Sequence, residues 1–439
     1  MPFTANVNDR DHLVVGGCDT VELARRFGTP LWVVDEKTIE QAARAIQSAL
    51  AGYPRWRVLY AGKAFLCLAI CHIIRRLGLG LDVVSPGELY TAAAAEFPAD
   101  LLYMHGNNKS ESEIRDGLSY GSVKIVVDSE SELEMVARVA GELGKKARIL
   151  IRVTPGVVPD THHYIRTGHA DSKFGLPLEH LGRVVAEIAR LGDSVELAGL
   201  HAHIGSQSQE IEPYCEIIEI LADCLQEIKQ SQGLELGELD VGGGLGIAYT
   251  QADRPVPIYE WGQAVAAQTI ASFESRGLNL PTLVLEPGRS IVGTAGVTLY
   301  TAGHAKDLPG GPKYLAVDGG MADNPRPVTY QARYTACVAS RMHGPRPDKA
   351  ITLVGKYCES GDIIVKDAYL TATAGDVIAV FGTGAYNYSM ASNYNRTGRP
   401  ACVLVSDGQA EVIVERESYA DLLRQDRVPS RLREQGSCV

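Results

Sequence analysis

Lys63 ends the stretch Tyr60-Ala-Gly-Lys63-Ala, an otherwise apolar run that turns toward a helix. Burial disfavours an ammonium and lowers its pKa, which suits an amine that forms a Schiff base. Taken alone, the same residue reads more readily as a lysine snorkelling to a rim. His201-x-His203 would project two imidazoles from one face of a strand, because strand side chains alternate. That spacing serves metal-assisted hydrolysis if His105, Asp82 and Asp128 complete a ligand set. Glu286-Pro-Gly288-Arg289 offers a carboxylate that either pairs with Arg289 or holds a protonated pyridine nitrogen, turning such a ring into an electron sink. Gly242-Gly243-Gly244 can present successive backbone N–H groups to a phosphate, or simply mark a tight turn.

Further polar clusters follow: Asp323-Asn-Pro-Arg326 with Tyr330, Cys358-Glu359-Ser-Gly-Asp362, and Gly384-Ala-Tyr386-Asn387. Arg289 and Arg326 can clamp a carboxylate in fork geometry, and Glu359 can receive an ammonium. Each of these is also compatible with an interface salt bridge.

The elements that must position these residues are legible as alternation. Apolar runs at Arg57–Ala61, Leu79–Val84, Leu101–His105, Lys124–Asp128, Arg148–Val153, Leu197–Ile204, Glu238–Gly242 and Thr282–Glu286 are separated by amphipathic stretches. Eight strand–helix repeats over roughly 230 residues predict a (β/α)8 TIM-type barrel at 37–290, whose chemistry belongs at the C-terminal ends of the strands. Lys63, Asp82, Ser85, His105, Asp128, Arg152, the two histidines, the glycine triplet and Glu286 fall at those ends. After about Gly293, segments rich in Val, Thr and Tyr with Gly, Pro and Asp punctuation predict a second, mainly antiparallel β domain. It is expected to comprise 291–439 together with 1–36, where Leu31–Asp35 reads as one strand, in a sandwich-like or barrel-like arrangement.

Composition bounds the rest. The 439 residues, 45% hydrophobic and 22% charged, exclude disorder or fibre as the dominant state. A net charge of −11 disfavours nucleic acid and anionic lipid as partners. No apolar run reaches the ~20 residues of a membrane span, and the start lacks the pattern of a secretory signal. Nine cysteines without a CxxC pair fit a reducing, cytoplasmic setting.

Taken together, the motifs around Lys63, His105-Gly-Asn-Asn-Lys109, Asp171-Ser-Lys-Phe-Gly175, His203-Ile-Gly-Ser206-Gln, Gly242–Gly244, Glu286–Arg289, Cys358–Asp362 and Gly384–Tyr386 resemble the diaminopimelate decarboxylase family. Those enzymes use pyridoxal 5'-phosphate on a barrel of the alanine-racemase type. The motifs run in order from about residue 60 to 390, so the resemblance covers most of the chain. Pro86 departs from the family's usual glycine; with Ser85 as N-cap it would occupy the first helical position harmlessly.

The resemblance implies that Lys63 holds the cofactor covalently, that His203 stacks on its ring rather than binding metal, and that no metal is used. It further implies cofactor contacts from Ser206, Gly244, Glu286, Gly288, Arg289 and Tyr386, with Glu286 at the ring nitrogen. Arg289, Arg326, Tyr330 and Tyr386 would bind the substrate, its distal ammonium would meet Glu359, and Cys358 would protonate the product carbanion. Cys358 and Glu359 would come from the partner subunit of a homodimer. The implied reaction converts meso-2,6-diaminopimelate to L-lysine and CO2, the last step of lysine biosynthesis. Arginine or ornithine decarboxylases lack a substrate with a distal carboxylate, and the Arg289, Arg326 and Tyr330 set argues against them. An alanine racemase would need an arginine where Glu286 stands. A barrel metallohydrolase and an inactive cofactor-binding homologue are the remaining alternatives; intact Lys63 and Cys358 count against the latter.

Overall fold

The computed structural model describes residues 1–156, 172–345 and 347–433; Asp171 of the Asp171–Gly175 motif and Cys438 lie outside the described residues. The chain divides into two compact units. The first comprises Met1–Ala5, Asp35–Val297 and Phe381–Ser389, and the second Asn6–Val34, Thr298–Val380 and Met390–Val439.

In the first unit, β1 (Trp56–Ala61), β2 (Gly80–Val83), β3 (Leu102–Met104), β4 (Lys124–Val127), β5 (Ala147–Thr154), β6 (Val195–His201), β7 (Glu238–Asp240) and β8 (Thr282–Leu285) run parallel. Leu285 of β8 registers with Val58 of β1, so the sheet closes on itself as a (β/α)8 barrel. A two-residue strand, Leu176–Pro177, adds to β5. The strands are apolar because both faces are covered. Leu59, Tyr103, Val126, Leu150 and Val284, drawn from five strands, form one fully buried cluster.

Serine N-caps start the helices that follow three successive strands. Ser85, Ser110 and Ser129 each accept the N–H of a glutamate three residues on: Glu88, Glu113 and Glu132. Each satisfies an end group the helix cannot satisfy itself. Pro86 sits at the first turn of Pro86–Ala94, where its missing N–H costs nothing. At the N-terminal side of the barrel, Lys124 pairs with Glu238 and donates to Tyr103 Oη at 2.7 Å, while Tyr103 donates to Glu238 at 2.9 Å. This buried ionic group lies at the strand starts, the end of such a barrel that serves stability.

β6 corrects one expectation. It ends at His201, which registers with Arg152 and Asp240, so His203 lies beyond the ladder. The alternation that would aim both imidazoles one way does not apply there.

The second unit is built on a nine-stranded, mainly antiparallel sheet. Its main path runs Ile363–Ala368, Ile351–Val354, Lys313–Val317, Gly296–Asp307, Leu31–Asp35, Ala401–Ser406 and Gln409–Val414. Lys313–Val317 and Ile351–Val354 pair in parallel; their outer partners are antiparallel. Two strands of this sheet escape sequence reading. Ala336–Val338 is only three residues long, and Ile363–Ala368 carries Lys366 and Asp367, with a register shift and a positive φ of 55° at Asp367.

Candidate active site

Lys63 occupies a short turn, Gly62–Ala64, directly after β1. Other protein atoms surround Lys63, yet the residue as a whole is exposed, as an amine in the mouth of a barrel must be to react. Burial pulls its pKa down, but the charges of Tyr386, Asp82 and Glu286 outweigh burial, and the net shift is upward. The expected lowering by burial is present, but in the free chain Tyr386, followed by the strand-end carboxylates of Asp82 and Glu286, reverses its sign. Backbone from 381–389 closes on this turn, with Tyr386 N–H donating to Ala64 O at 2.8 Å and Ser389 Oγ donating to the same oxygen at 3.2 Å. Gly288 packs on it from β8; a Cβ there would meet Ala61 Cβ at 2.9 Å.

Glu286, at the end of β8, does not pair with Arg289. Its Oε1 lies 2.7 Å from His105 Nε2, close enough for an ion pair but off the line of a hydrogen bond, and its Oε2 lies 3.3 Å from His201 Nε2. Burial alone would raise the Glu286 pKa; the two imidazoles outweigh it and hold the carboxyl well below the usual range. The histidines diverge. Burial draws His105 down, but Asp82 and Glu286 reverse this and raise it, whereas burial takes His201 down to about 4. Asp82 and Asp240 are buried beside this group, and burial raises both carboxyls. His105, His201 and Glu286 place one ligand atom each within 4.8 Å of one another, but the 2.7 Å approach is that of directly paired side chains. His203 is not in this set. Its Nδ1 accepts from Gly243 N–H at 3.2 Å, and burial holds its pKa well below the ordinary value, so the ring is neutral.

The glycine triplet differs from a three-donor cradle. Gly242 N–H is taken by Asp240 Oδ1 at 2.9 Å and Gly243 N–H by His203 Nδ1. Its glycines are dictated by crowding: a Cβ would lie 2.6 Å from His203 Nδ1 at Gly242, 2.0 Å from Glu286 O at Gly243 and 2.1 Å from Gly205 O at Gly244. Gly242 and Gly244 also have φ of 69° and 98°, where a side chain is strained.

Arg289 is buried, donating to Ser206 Oγ at 2.8 Å and to Tyr249 Oη, with its guanidinium 4.7 Å from the Tyr386 ring centroid. Its Nε is buried and has no hydrogen-bond partner among the described residues. Tyr386 itself has φ of 61°, a conformation a tyrosine adopts only where surroundings impose it. The first unit thus brings together Lys63, His203, Ser206, Gly244, Glu286, Gly288, Arg289 and Tyr386. Sequence reasoning missed Asp240 and Tyr249. A carboxylate inside the apolar run of β7 was the available signal for Asp240; Tyr249, in an irregular loop, offered none.

The other expected site residues belong to the second unit. Arg326 is buried at the start of the short helix Arg326–Tyr330 and donates to Tyr334 Oη at 2.8 Å; Tyr330 closes that helix, half-buried. Cys358 and Glu359 are exposed on a tight loop held by Asp362, whose carboxylate accepts from Tyr357 N–H at 2.9 Å and Met321 N–H at 2.7 Å.

A strand-end lysine, a buried carboxylate at another strand end and an arginine–serine pair suit a pyridoxal site. The model of the pyridoxal-dependent decarboxylase, pyridoxal binding domain, matches residues 36–293. A diaminopimelate decarboxylase of Synechocystis sp. is 46% identical over 443 residues, covering 98% of this chain and 94% of that protein. The Bacillus subtilis diaminopimelate decarboxylase is 43% identical over 427 residues, 96% of this chain and 97% of its own. The crystal structure of diaminopimelate decarboxylase from M. jannaschii in co-complex with L-lysine superposes with a TM-score of 0.91 at 36% identity, covering 98% of this chain and 99% of that one. With a closed parallel barrel, Lys63 at its mouth and relatives alike from end to end, the chain belongs to the diaminopimelate decarboxylase family of pyridoxal-dependent decarboxylases.

Proposed function

We propose that the chain decarboxylates meso-2,6-diaminopimelate to L-lysine and CO2 with pyridoxal 5'-phosphate. The observation that carries this is the ring of groups at one barrel mouth: an accessible Lys63, Glu286 fixed between two imidazoles, and Arg289 joined to Ser206. The residues fit the cofactor. Lys63 would hold its aldehyde carbon, Glu286 would accept from the protonated ring nitrogen, and neutral His203 would cover a ring face. Ser206, Gly244, Gly288, Arg289 and Tyr386 would hold the phosphate side, a reading supported by the Arg289–Ser206 contact and by the unpartnered Arg289 Nε. When bound, the cofactor supplies an electron sink for the pair left by the departing carboxylate.

The protein's own residues do the rest. Arg289, Arg326, Tyr330 and Tyr386 would hold the substrate, the arginines its distal carboxylate, and Glu359 its distal ammonium. A substrate without that carboxylate would forgo the charge-assisted hydrogen bonds the two arginines would offer it, a discrimination on the order of 10⁴-fold. The carbon that loses CO2 gains one proton, which Cys358 would deliver. We assign Cys358 and Glu359 to the neighbouring site of a homodimer; their exposure on the second unit's surface supports this. We place the enzyme in the cytoplasm: the described cysteines are free, and an exposed catalytic thiol needs a reducing medium. Among the described residues no helix is long and apolar enough to cross a membrane.

The direct test supplies meso-diaminopimelate, lysine, ornithine and arginine separately and measures CO2 release. Release from diaminopimelate alone is expected, and Lys63→Ala should remove both turnover and the bound cofactor's visible absorbance band. CO2 from ornithine or arginine at comparable rate would overturn the substrate assignment.

A further inference from the structure

The motif His105-Gly-Asn-Asn-Lys109 has no part in the roles above, yet it is heavily built. His105 leaves β3 with its N–H on Val83 O at 2.8 Å, and the chain then turns at Gly106, with φ of 124°. Lys109, 5% exposed, ties this turn down: its Nζ donates to Gly106 O at 2.6 Å and Val126 O at 2.8 Å and lies 2.6 Å from Glu132 Oε1. A buried ammonium is costly to desolvate, so three partners on one lysine mark a turn held in one position. What the turn aims is the His105 ring, whose Nε2 stands 2.7 Å from Glu286 Oε1 and 3.7 Å from Asp82 Oδ1. Its ring also meets His201 edge-on, with centroids 5.0 Å apart.

We propose that His105 is a positioning residue for the cofactor's ring nitrogen: fixed by the Lys109-anchored turn, its imidazole pins the Glu286 carboxylate so that this group meets the nitrogen already ionised and aligned. The inference rests on the assignment of Glu286 to that nitrogen. It accounts for why a second histidine accompanies His201 at a single carboxylate. Asp82 and Glu286 also draw the His105 pKa upward against burial, in the direction that favours this pairing.

The test uses the full chain freed of cofactor and reloaded with pyridoxal 5'-phosphate or with its analogue carrying C–H in place of the ring nitrogen, the two affinities being measured by absorbance. A charge-assisted hydrogen bond to the nitrogen makes the unmodified chain prefer the natural cofactor by on the order of ten-fold or more. In His105→Phe that ratio should fall below about three-fold, with His105→Gln, which keeps an N–H donor, regaining part of it. A merely structural role would weaken both ligands equally and leave the ratio unchanged, and this outcome overturns the proposal. Should His105→Phe fail to fold, His105→Asn, whose amide stops short of Glu286, answers the same question. No preference in the unmodified chain would instead sink the Glu286 assignment itself.

Discussion

At the scale of single residues, burial and neighbouring charge compete, and the winner differs from site to site. Lys63 shows why its titration was not legible in sequence: the apolar run around it was visible, but Tyr386, Asp82 and Glu286 come from elsewhere in the chain. Asp323 shows burial winning. Tyr300 Oη donates to its Oδ2 at 2.5 Å and Gly320 N–H to its Oδ1 at 2.8 Å, yet burial pushes the carboxyl up to about 7. An unfolded aspartate titrates near ~4, so between these values the folded chain keeps a proton that the unfolded chain releases. The stabilisation is full below that lower value and is lost as pH rises to about 7, by on the order of a few kcal/mol. Urea-unfolding midpoints should therefore drop through this window in the unmodified chain and drop less in Asp323→Asn; parallel slopes would clear Asp323 of the effect. Arg326→Ala should lower kcat/KM for diaminopimelate on the order of 10³-fold, with a far smaller change in any residual action on lysine. Equal losses would remove its carboxylate-binding role.

At the scale of elements, the parallel barrel was readable because most strands lie in nearly unbroken apolar runs separated by amphipathic helices, three of them with serine caps. Strand ends were not, since a ladder stops where backbone partners stop, and this separated His203 from His201. Crowding of the loop after β7 was equally hidden, because it depends on Glu286 and Gly205 backbone. Gly243→Ala would press a methyl against Glu286 O, and a cost of about 1–3 kcal/mol in stability is expected along with at least ten-fold weaker cofactor retention. Thermal melting and cofactor titration would show both, and a native-like variant would mean the loop yields freely. At the opposite end of the barrel, Lys124→Met leaves Glu238 buried without its ammonium, a loss of about 3–5 kcal/mol. Lys124→Met with Glu238→Leu should recover most of it, because the pair itself contributes little net; denaturant unfolding of the two variants decides.

At the scale of the whole molecule, the division of labour assigned to Cys358 and Lys63 predicts complementation. Lys63→Ala and Cys358→Ala proteins, each inactive, should regain roughly a quarter of native activity on mixing, since half the dimers would be mixed and each would carry one intact site. Mixed dimers without activity would confine each site to one chain. The register of Leu285 on Val58 has a further consequence, for synthesis at the ribosome. Lys63 is translated early, but the strand that seals the ring beside it arrives more than two hundred residues later, and the 381–389 backbone that clasps Ala64 later still. A vitamin B6 aldehyde can thus find its finished pocket only once the chain has been made past residue 389, so uptake of the coenzyme doubles as a check that translation passed that point.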